Sequence, residues 1–190
     1  RAAAGTSATA TAVSYTSVGN TVSFNGSAPQ AASAFAFTGL TVSNPAGLTL
    51  SGVDSVKGIL TLTSGNVTTS SKRLVIASTG SISRTSGHIV GTLEYAVGTG
   101  SPSYTFEVGT STAYVPANVA FYGVTTGGSL SAFTTNGDHP NIATSGLNSA
   151  KSVNRYWTMS QSSLTFDSAT VTLTFEAGDI DAGANTSAFH

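Results

Sequence analysis

Apolar and hydroxyl-bearing residues alternate in short runs along most of this chain, as in Leu60-Thr61-Leu62-Thr63 and Val171-Thr172-Leu173-Thr174-Phe175. A period of two predicts β-strands with one apolar face and one hydroxyl face. From about Asn20 to Ile89 the runs are very short: Val22-Ser23-Phe24, Leu40 to Ser43, Leu48 to Ser51, Ile59 to Leu62, Leu74 to Ile76, then Ile82. Small turn residues separate them, among them Asn25-Gly26, Asn44-Pro45-Ala46-Gly47, Ser64-Gly65-Asn66 and Ser78-Thr79-Gly80. The three most alike runs begin at Leu40, Leu48 and Leu60, spacings of 8 and 12. Such recurrence suits the stacked short strands of a β-solenoid, in which each turn buries its apolar side chains against the next. An antiparallel sandwich with tight hairpins spaces its strands in the same way. Periodicity alone does not separate the two.

Beyond residue 90 the runs lengthen and the side chains become bulkier. Val90 to Tyr95, Tyr104 to Val108, Ala113 to Tyr122, Leu130 to Thr134, Tyr156 to Met159 and Ala169 to Glu176 all alternate. Phe106, Val108, Val119, Phe121, Phe133, Trp157, Leu173 and Phe175 are the inward-facing candidates, and two packed sheets are the expected arrangement. Helix signals are nearly missing, because Thr, Val, Gly and Ser all weaken helices. The segment Gly146 to Lys151 is the one expected helical turn. The chain therefore reads as all-β: residues 1–19 as an extended arm or first strand, 20–89 as a short-stranded, solenoid-like or sandwich region, and 90–190 as a β-sandwich.

Composition narrows the function classes. Only 8% of the residues are charged, against roughly 25% in an average soluble domain, while Ser and Thr make up close to a third. The hydrophobic fraction of 39% excludes intrinsic disorder, which needs low hydrophobicity and high net charge. A net charge of -1 with scattered basic residues leaves no stripe to track phosphates, so no nucleic acid is expected as a partner. No run approaches the length of a membrane helix, so no membrane span is expected, and the runs are too short and irregular for an outer-membrane barrel. The absence of cysteine removes disulfides and thiolate chemistry together. The composition fits a secreted bacterial protein held by sheet hydrogen bonding. Arg1-Ala2-Ala3-Ala4 has no apolar h-region behind it, so a removed signal peptide or a fragment of a longer protein is expected.

Several stretches carry a resemblance. Thr21 to Gln30, Gly39 to Asn44, Gly47-Leu48-Thr49-Leu50-Ser51-Gly52 and Gly58 to Gly65 together resemble a repeat unit of large secreted, Ser/Thr-rich, adhesin-like surface proteins of Bacteroidetes and related bacteria. Ser83 to Gly91, Phe106-Glu107-Val108-Gly109 and Ser152 to Thr158 are similar to the sandwich module that often follows it. The resemblance covers most of residues 20–190, on compositionally simple motifs. It implies an extracellular cell-surface location, a modular, non-enzymatic, structural or adhesive role, and a solenoid for the first half. Such sandwich modules continue past the acidic turn with a further, aromatic-rich strand. This sequence departs from them by stopping at Ala188-Phe189-His190, which implies a truncation or a module short of one strand.

The residues that carry chemistry are few. Glu176-Ala177-Gly178-Asp179-Ile180-Asp181-Ala182-Gly183 faintly resembles a calcium loop but lacks the full carboxylate set and closing Glu of one; a polar turn is the better reading. Asp138-His139-Pro140 invites a triad, yet adjacent side chains rarely form the base–orienter bond and no Gly-x-Ser-x-Gly elbow is present. A structural turn is expected there. Glu94 and Glu107 would face each other across a Tyr95–Tyr104 hairpin, the arrangement a glycosidase needs, though a solvent-facing pair is the plainer outcome. Arg155 is expected to pair with a carboxylate or cover a sheet edge, and His88 and His190 are too far apart in sequence to count as a metal pair. No catalytic residue, cofactor or metal ligand is assigned, and no enzyme is expected. Tyr95, Tyr104, Tyr114, Tyr122, Tyr156 and Trp157 could form a sugar-stacking platform, but in a small all-β domain most aromatics belong to the core.

Residues 6–15 alternate small apolar with hydroxyl residues and have no sequence-local partner. If the sandwich lacks its closing strand, an open edge is left as a template for strand addition. Ala8, Ala10, Ala12, Val13 and Tyr15 are then the candidate assembly residues, contributed by a neighbouring subunit. The expectation is an extracellular structural or adhesive protein, a filament subunit built by inter-subunit β-strand addition, with a homopolymer or neighbouring modules as partners. A carbohydrate-binding module of a secreted multidomain protein, with glycan as ligand, is the alternative.

Overall fold

The computed structural model describes residues 21–188; the assembly candidates Ala8, Ala10, Ala12, Val13 and Tyr15 lie outside them. The protein is all-β, and its first half is solenoid-like with about five turns. The first turn comprises β1 (Thr21–Phe24), β2 (Gln30–Ala32) and β3 (Ala36–Phe37), the second β4 (Gly39–Ser43), β5 (Leu48–Leu50) and β6 (Asp54–Val56). The third is β7 (Ile59–Ser64) with the long β8 (Val67–Ile76), and the fourth β9 (Ser81–Arg84) with β10 (Ile89–Val97). After β11 (Ser103–Phe106), β12 (Val108–Gly109) begins a fifth by pairing with the start of β10.

All pairings within the solenoid are parallel, so equivalent residues of successive turns stack. Val22, Leu40, Leu60 and Ile82 form one column. Leu48, Val67, Ile89 and Val108 form a second, and Phe37, Val56, Ile76 and Tyr95 a third. Most of these side chains are fully buried, which is why one or two inward residues per strand suffice. The antiparallel sandwich is thus excluded for this half, and β2, β3 and β6 are strands that the alternation did not reveal. They hold three residues or fewer and, unlike Leu48-Thr49-Leu50 of β5, no two large apolar residues flanking a polar one, so no alternation shows in them.

The corners stack as tightly as the columns. Gly65 adopts φ +76°, and a Cβ there would sit 1.8 Å from the Asn44 carbonyl oxygen of the turn before. Gly87, at φ +76°, stands in the same relation to Gly65 at 2.0 Å. Only glycine satisfies both the left-handed backbone and the close approach. Asn44 reinforces this corner, its side-chain amide donating to Ala28 O and Gln30 Oε1 and its Oδ1 accepting from Ala46 N.

The second half adds β13 (Ala117–Tyr122), β14 (Gly128–Asn136), β15 (Arg155–Ser162) and β16 (Ser168–Leu173). β14 and β15 extend the solenoid sheet antiparallel from β10, giving the order β15-β14-β10-β8-β5-β2. β11, β13 and β16 form a separate antiparallel sheet. Leu93 and Tyr95 share their face with Leu74 and Ile76, which point into the solenoid interior. The Tyr95 ring meets those of Tyr104 and Phe106 at 4.7 and 5.1 Å. The three-stranded sheet therefore lies on the same side of the large sheet as β1-β4-β7-β9, and one core runs from Ala32 to Leu164. The expected helical turn is displaced: the residues that coil are Ile142–Thr144, while the segment from Gly146 forms turns only.

Candidate functional site

The two layers end unequally at the C-terminal side. β16 pairs with β13 over its whole length, and the register sets Ala169, Val171 and Leu173 on the same face as Phe121, Val119 and Ala117. Those three partners are buried. Directly opposite residues of an antiparallel pair share a face, so Ala169, Val171 and Leu173 point toward the interior of the sandwich. Yet all six residues of β16 are exposed, with Val171 at 47% and Leu173 at 41%. Among the described residues no strand pairs with the outer edge of β16. Leu173, expected in the core, is thus correctly faced but uncovered.

The opening continues into a cleft of about 740 Å³ between Leu173, the start of β15 and the 139–153 loop, including His139, Asn141, Ile142, Leu147, Asn148, Lys151 and Tyr156. Leu147 projects from that loop at 61% exposure. The floor of the opening is firmly held. Trp157 donates from Nε1 to Val115 O at 3.1 Å, linking β15 to the opposite layer. Arg155 is buried and grips Asp179 with Nε–Oδ2 and Nη2–Oδ1 bonds of 2.6 and 2.8 Å. That bidentate pair holds the Asp179 carboxyl below its ordinary value of 3.8, burial working against it and the Glu176 amide with it.

The neighbouring acids are engaged in the same way. Asp181 accepts from Ser152 N and Asn154 Nδ2, bonds that lower its pKa. Asp138 accepts from the Ser152 hydroxyl at 2.9 Å. The 176–183 loop is a polar turn, a 3-10 turn at Ala177–Asp179 with reciprocal capping by Glu176 and Asp179. Among the described residues no group of three or more His, Asp or Glu side chains could hold a metal ion. His139 bonds the Asn141 amide through Nδ1 and sets its ring against Tyr156 at 5.0 Å, so Asp138 and His139 serve different partners.

The structure does not bring Glu94 and Glu107 together. β10 and β11 belong to different sheets and form no hairpin; Glu94 pairs with Arg73 at 3.1 Å, and Glu107 accepts from the Tyr114 hydroxyl. Arg84 lies 3.5 Å over the Tyr114 ring, and His88 packs beside it. Burial, the Glu107 bond and the Glu107 charge push Tyr114 up to about 12. Burial holds His88 below 6.5, and its Nε2–H donates to Thr110 O at 2.6 Å, which names the tautomer because a carbonyl only accepts. This cluster fastens the fourth solenoid turn to the 107–115 segment.

The six aromatics named from sequence are dispersed. Tyr95 and Tyr104 are stacked near the core, Trp157 joins the layers, Tyr114 covers His88, Tyr156 lines the cleft and Tyr122 is exposed on β13. They form no single platform. The sequence suggested an open sandwich edge but did not place it at β16, because Val171 and Leu173 carry the same alternation as covered strands. Compared with protein-family models, curated proteins and solved structures, the chain matches none.

Proposed function

We propose that this chain is an extracellular structural or adhesive module, a subunit that assembles into filaments by inter-subunit β-strand addition. The observation that carries the reading is the exposed inward face of β16, an apolar row inside a sandwich with its outer edge unpaired among the described residues. An uncharged, proline-free edge is a template for another strand, and β16 consists of Ser, Ala, Thr, Val and Leu only. A module of stacked backbone hydrogen bonds with hydroxyl-rich faces bears load without needing charge. The test is the assembly state of the full chain over rising concentration, by sedimentation and electron microscopy. Unbranched polymers are expected; a chain that stays monomeric at every concentration overturns the reading.

The carbohydrate-binding alternative draws on a different observation, the cleft in which the Tyr156 ring lies beside Asn141, Asn148 and Lys151. An aromatic face with amide donors and acceptors is the chemistry of a neutral sugar site. Calorimetry with neutral oligosaccharides tests it: heat that disappears in Tyr156→Ala supports it, and no heat with the native chain removes it.

A further inference from the structure

We infer that the outer edge of β16 is the acceptor for residues 6–15 of a second copy of this chain, which join as an added strand and extend the molecule head to tail. The inference rests on the assembly reading above and names both sides of its contact.

The acceptor is singled out by comparing the free edges. β16 offers six continuous residues without charge or proline, and about three N–H and three C=O groups of such an edge point away from β13. A strand laid there would also cover Val171 and Leu173. β15 is a poorer template, since it carries the charged Arg155 and the residues leading into it are already engaged, Asn154 N donating to Asp179 O and Asp181 N to Ser152 O. At the other end of the molecule the first turn divides its edge among strands of four, three and two residues, too broken to template a long strand.

The donor is singled out by pattern and reach. Residues 6–15 contain no charge, proline or glycine, and alternate from Ala8 to Ala12 and, in the opposite phase, from Val13 to Tyr15. In an extended strand Ala8, Ala10 and Ala12 fall on one face, and Thr11, Val13 and Tyr15 on the other. The second face has the bulk to cover Val171 and Leu173. A further solenoid turn is a poor use of this segment, because a turn feeds three inward columns from well-separated positions, as Leu40, Leu48 and Val56 do, whereas Val13, Tyr15 and Val18, the large apolar side chains of residues 1–20, fall within six residues.

Distance decides between the chain's own segment and a neighbour's. β2 and β15 bound the large sheet five spacings apart, about 24 Å at about 4.8 Å each. Leu173 of β16 lines one cleft with Arg155 and Tyr156 of β15, which sets β16 at the β15 end, about 24 Å from the first turn. The six steps from Tyr15 to Thr21 span at most about 21 Å. Tyr15 therefore falls short of its own β16 while residues nearer Thr6 have the length to reach it, so laying the whole 6–15 segment, bulky end included, along β16 takes a second copy approaching from the open side. A donor at one end and an acceptor at the other make a heterologous contact, which propagates as a filament.

The test uses complementary chains. One lacks residues 1–18; the other keeps them but carries Val171→Arg and Leu173→Arg, exposed positions where circular dichroism should show an unchanged fold. Each alone is expected to remain monomeric, an equimolar mixture to form one-to-one dimers, and the native chain to polymerise. Polymers from the Arg variant exclude β16 as acceptor, and polymers from the truncated chain exclude residues 6–15 as donor; in either case the assembly reading survives. A monomeric native chain with a mixture that dimerises means that each chain fills its own groove, which overturns the second-copy assignment. If the native chain is monomeric and the mixture inert, the assembly reading itself fails. Independently of any folding effect of the Arg substitutions, a peptide of residues 1–20 should bind the truncated chain one to one. Val13→Arg in the peptide should weaken it at least tenfold; no saturable binding, or no effect of Val13→Arg, overturns the inference.

Discussion

β7 and β16 carry nearly the same sequence pattern and meet opposite fates. Ile59-Leu60-Thr61-Leu62 buries Leu60 and Leu62 completely, whereas Thr170-Val171-Thr172-Leu173 leaves both apolar residues more than 40% exposed. Each strand has its inward face set by register with a neighbour. The difference is that β7 lies between β4 and β9, while β16 has a partner on one side only among the described residues. Alternation specifies which face a strand buries; a neighbour decides whether burial happens.

The sharpest way to test that comparison is a matched pair of truncations. Leu60→Ala should cost about 2–5 kcal/mol, since it removes packed methyls and leaves a cavity, while Leu173→Ala should cost less than about 0.5 kcal/mol in the monomer. Urea denaturation measures both, and similar losses would mean that β16 is covered after all. Next in size, Arg155→Ala should cost roughly 2–3 kcal/mol, below the range for fully buried pairs because Asp179 keeps some solvent. Its effect should concentrate at the opening, read as faster amide exchange in residues 152–156 and 176–181.

A third contrast sets two left-handed glycines against each other. Gly137→Ala, at φ +92° with open space around it, should cost about 1 kcal/mol from backbone strain alone. Gly65→Ala adds a collision with the Asn44 carbonyl and should cost at least about 2 kcal/mol. Equal costs in thermal melts would mean that the corner stack is loose.

The smallest effect is a difference in the sign of pH dependence. Asp54 is buried in β6, its Oδ1 accepting from Phe35 N at 2.8 Å and its Oδ2 without a partner among the described residues. Burial raises its pKa above 3.8 against the backbone bonds from Phe35 and Ala34. Its contribution is therefore full below 3.8 and lost as pH rises through the folded value. Asp179 is lowered, so its contribution is present above 3.8 and lost as pH falls through its own folded value. Acidification should strengthen the solenoid around β6 while loosening the open end of the sandwich, read by hydrogen exchange across pH. Asp54→Asn should flatten the first response and leave the second unchanged.

Much of this was legible in the residues. The runs at Val22, Leu40, Leu48, Ile59 and Ile82 became strands because a one-in-two pattern has no other regular way to bury its apolar half. The corners were marked by Asn44 to Gly47 and Ser64 to Asn66. What stayed hidden were β2, β3 and β6, which lack the paired large apolar residues that mark the equally short β5, and Asp54, an acid in a strand whose burial follows from the turn that covers it. The Glu94–Glu107 pairing failed because nearness in sequence suggested a hairpin, while β10 instead found β8 and β14.

By itself, then, the sequence determined that this chain is all-β, which faces its strands bury, and that its edges carry little charge to guard them. These are local matters of period, rotamer preference and composition. Only the tertiary structure decided that the first half stacks in parallel turns, that one core continues through both halves, and that β16 is left with its apolar face open. Those outcomes depend on which distant strand arrives beside which, and two strands with the same alternation carry no local mark of whether a partner will come.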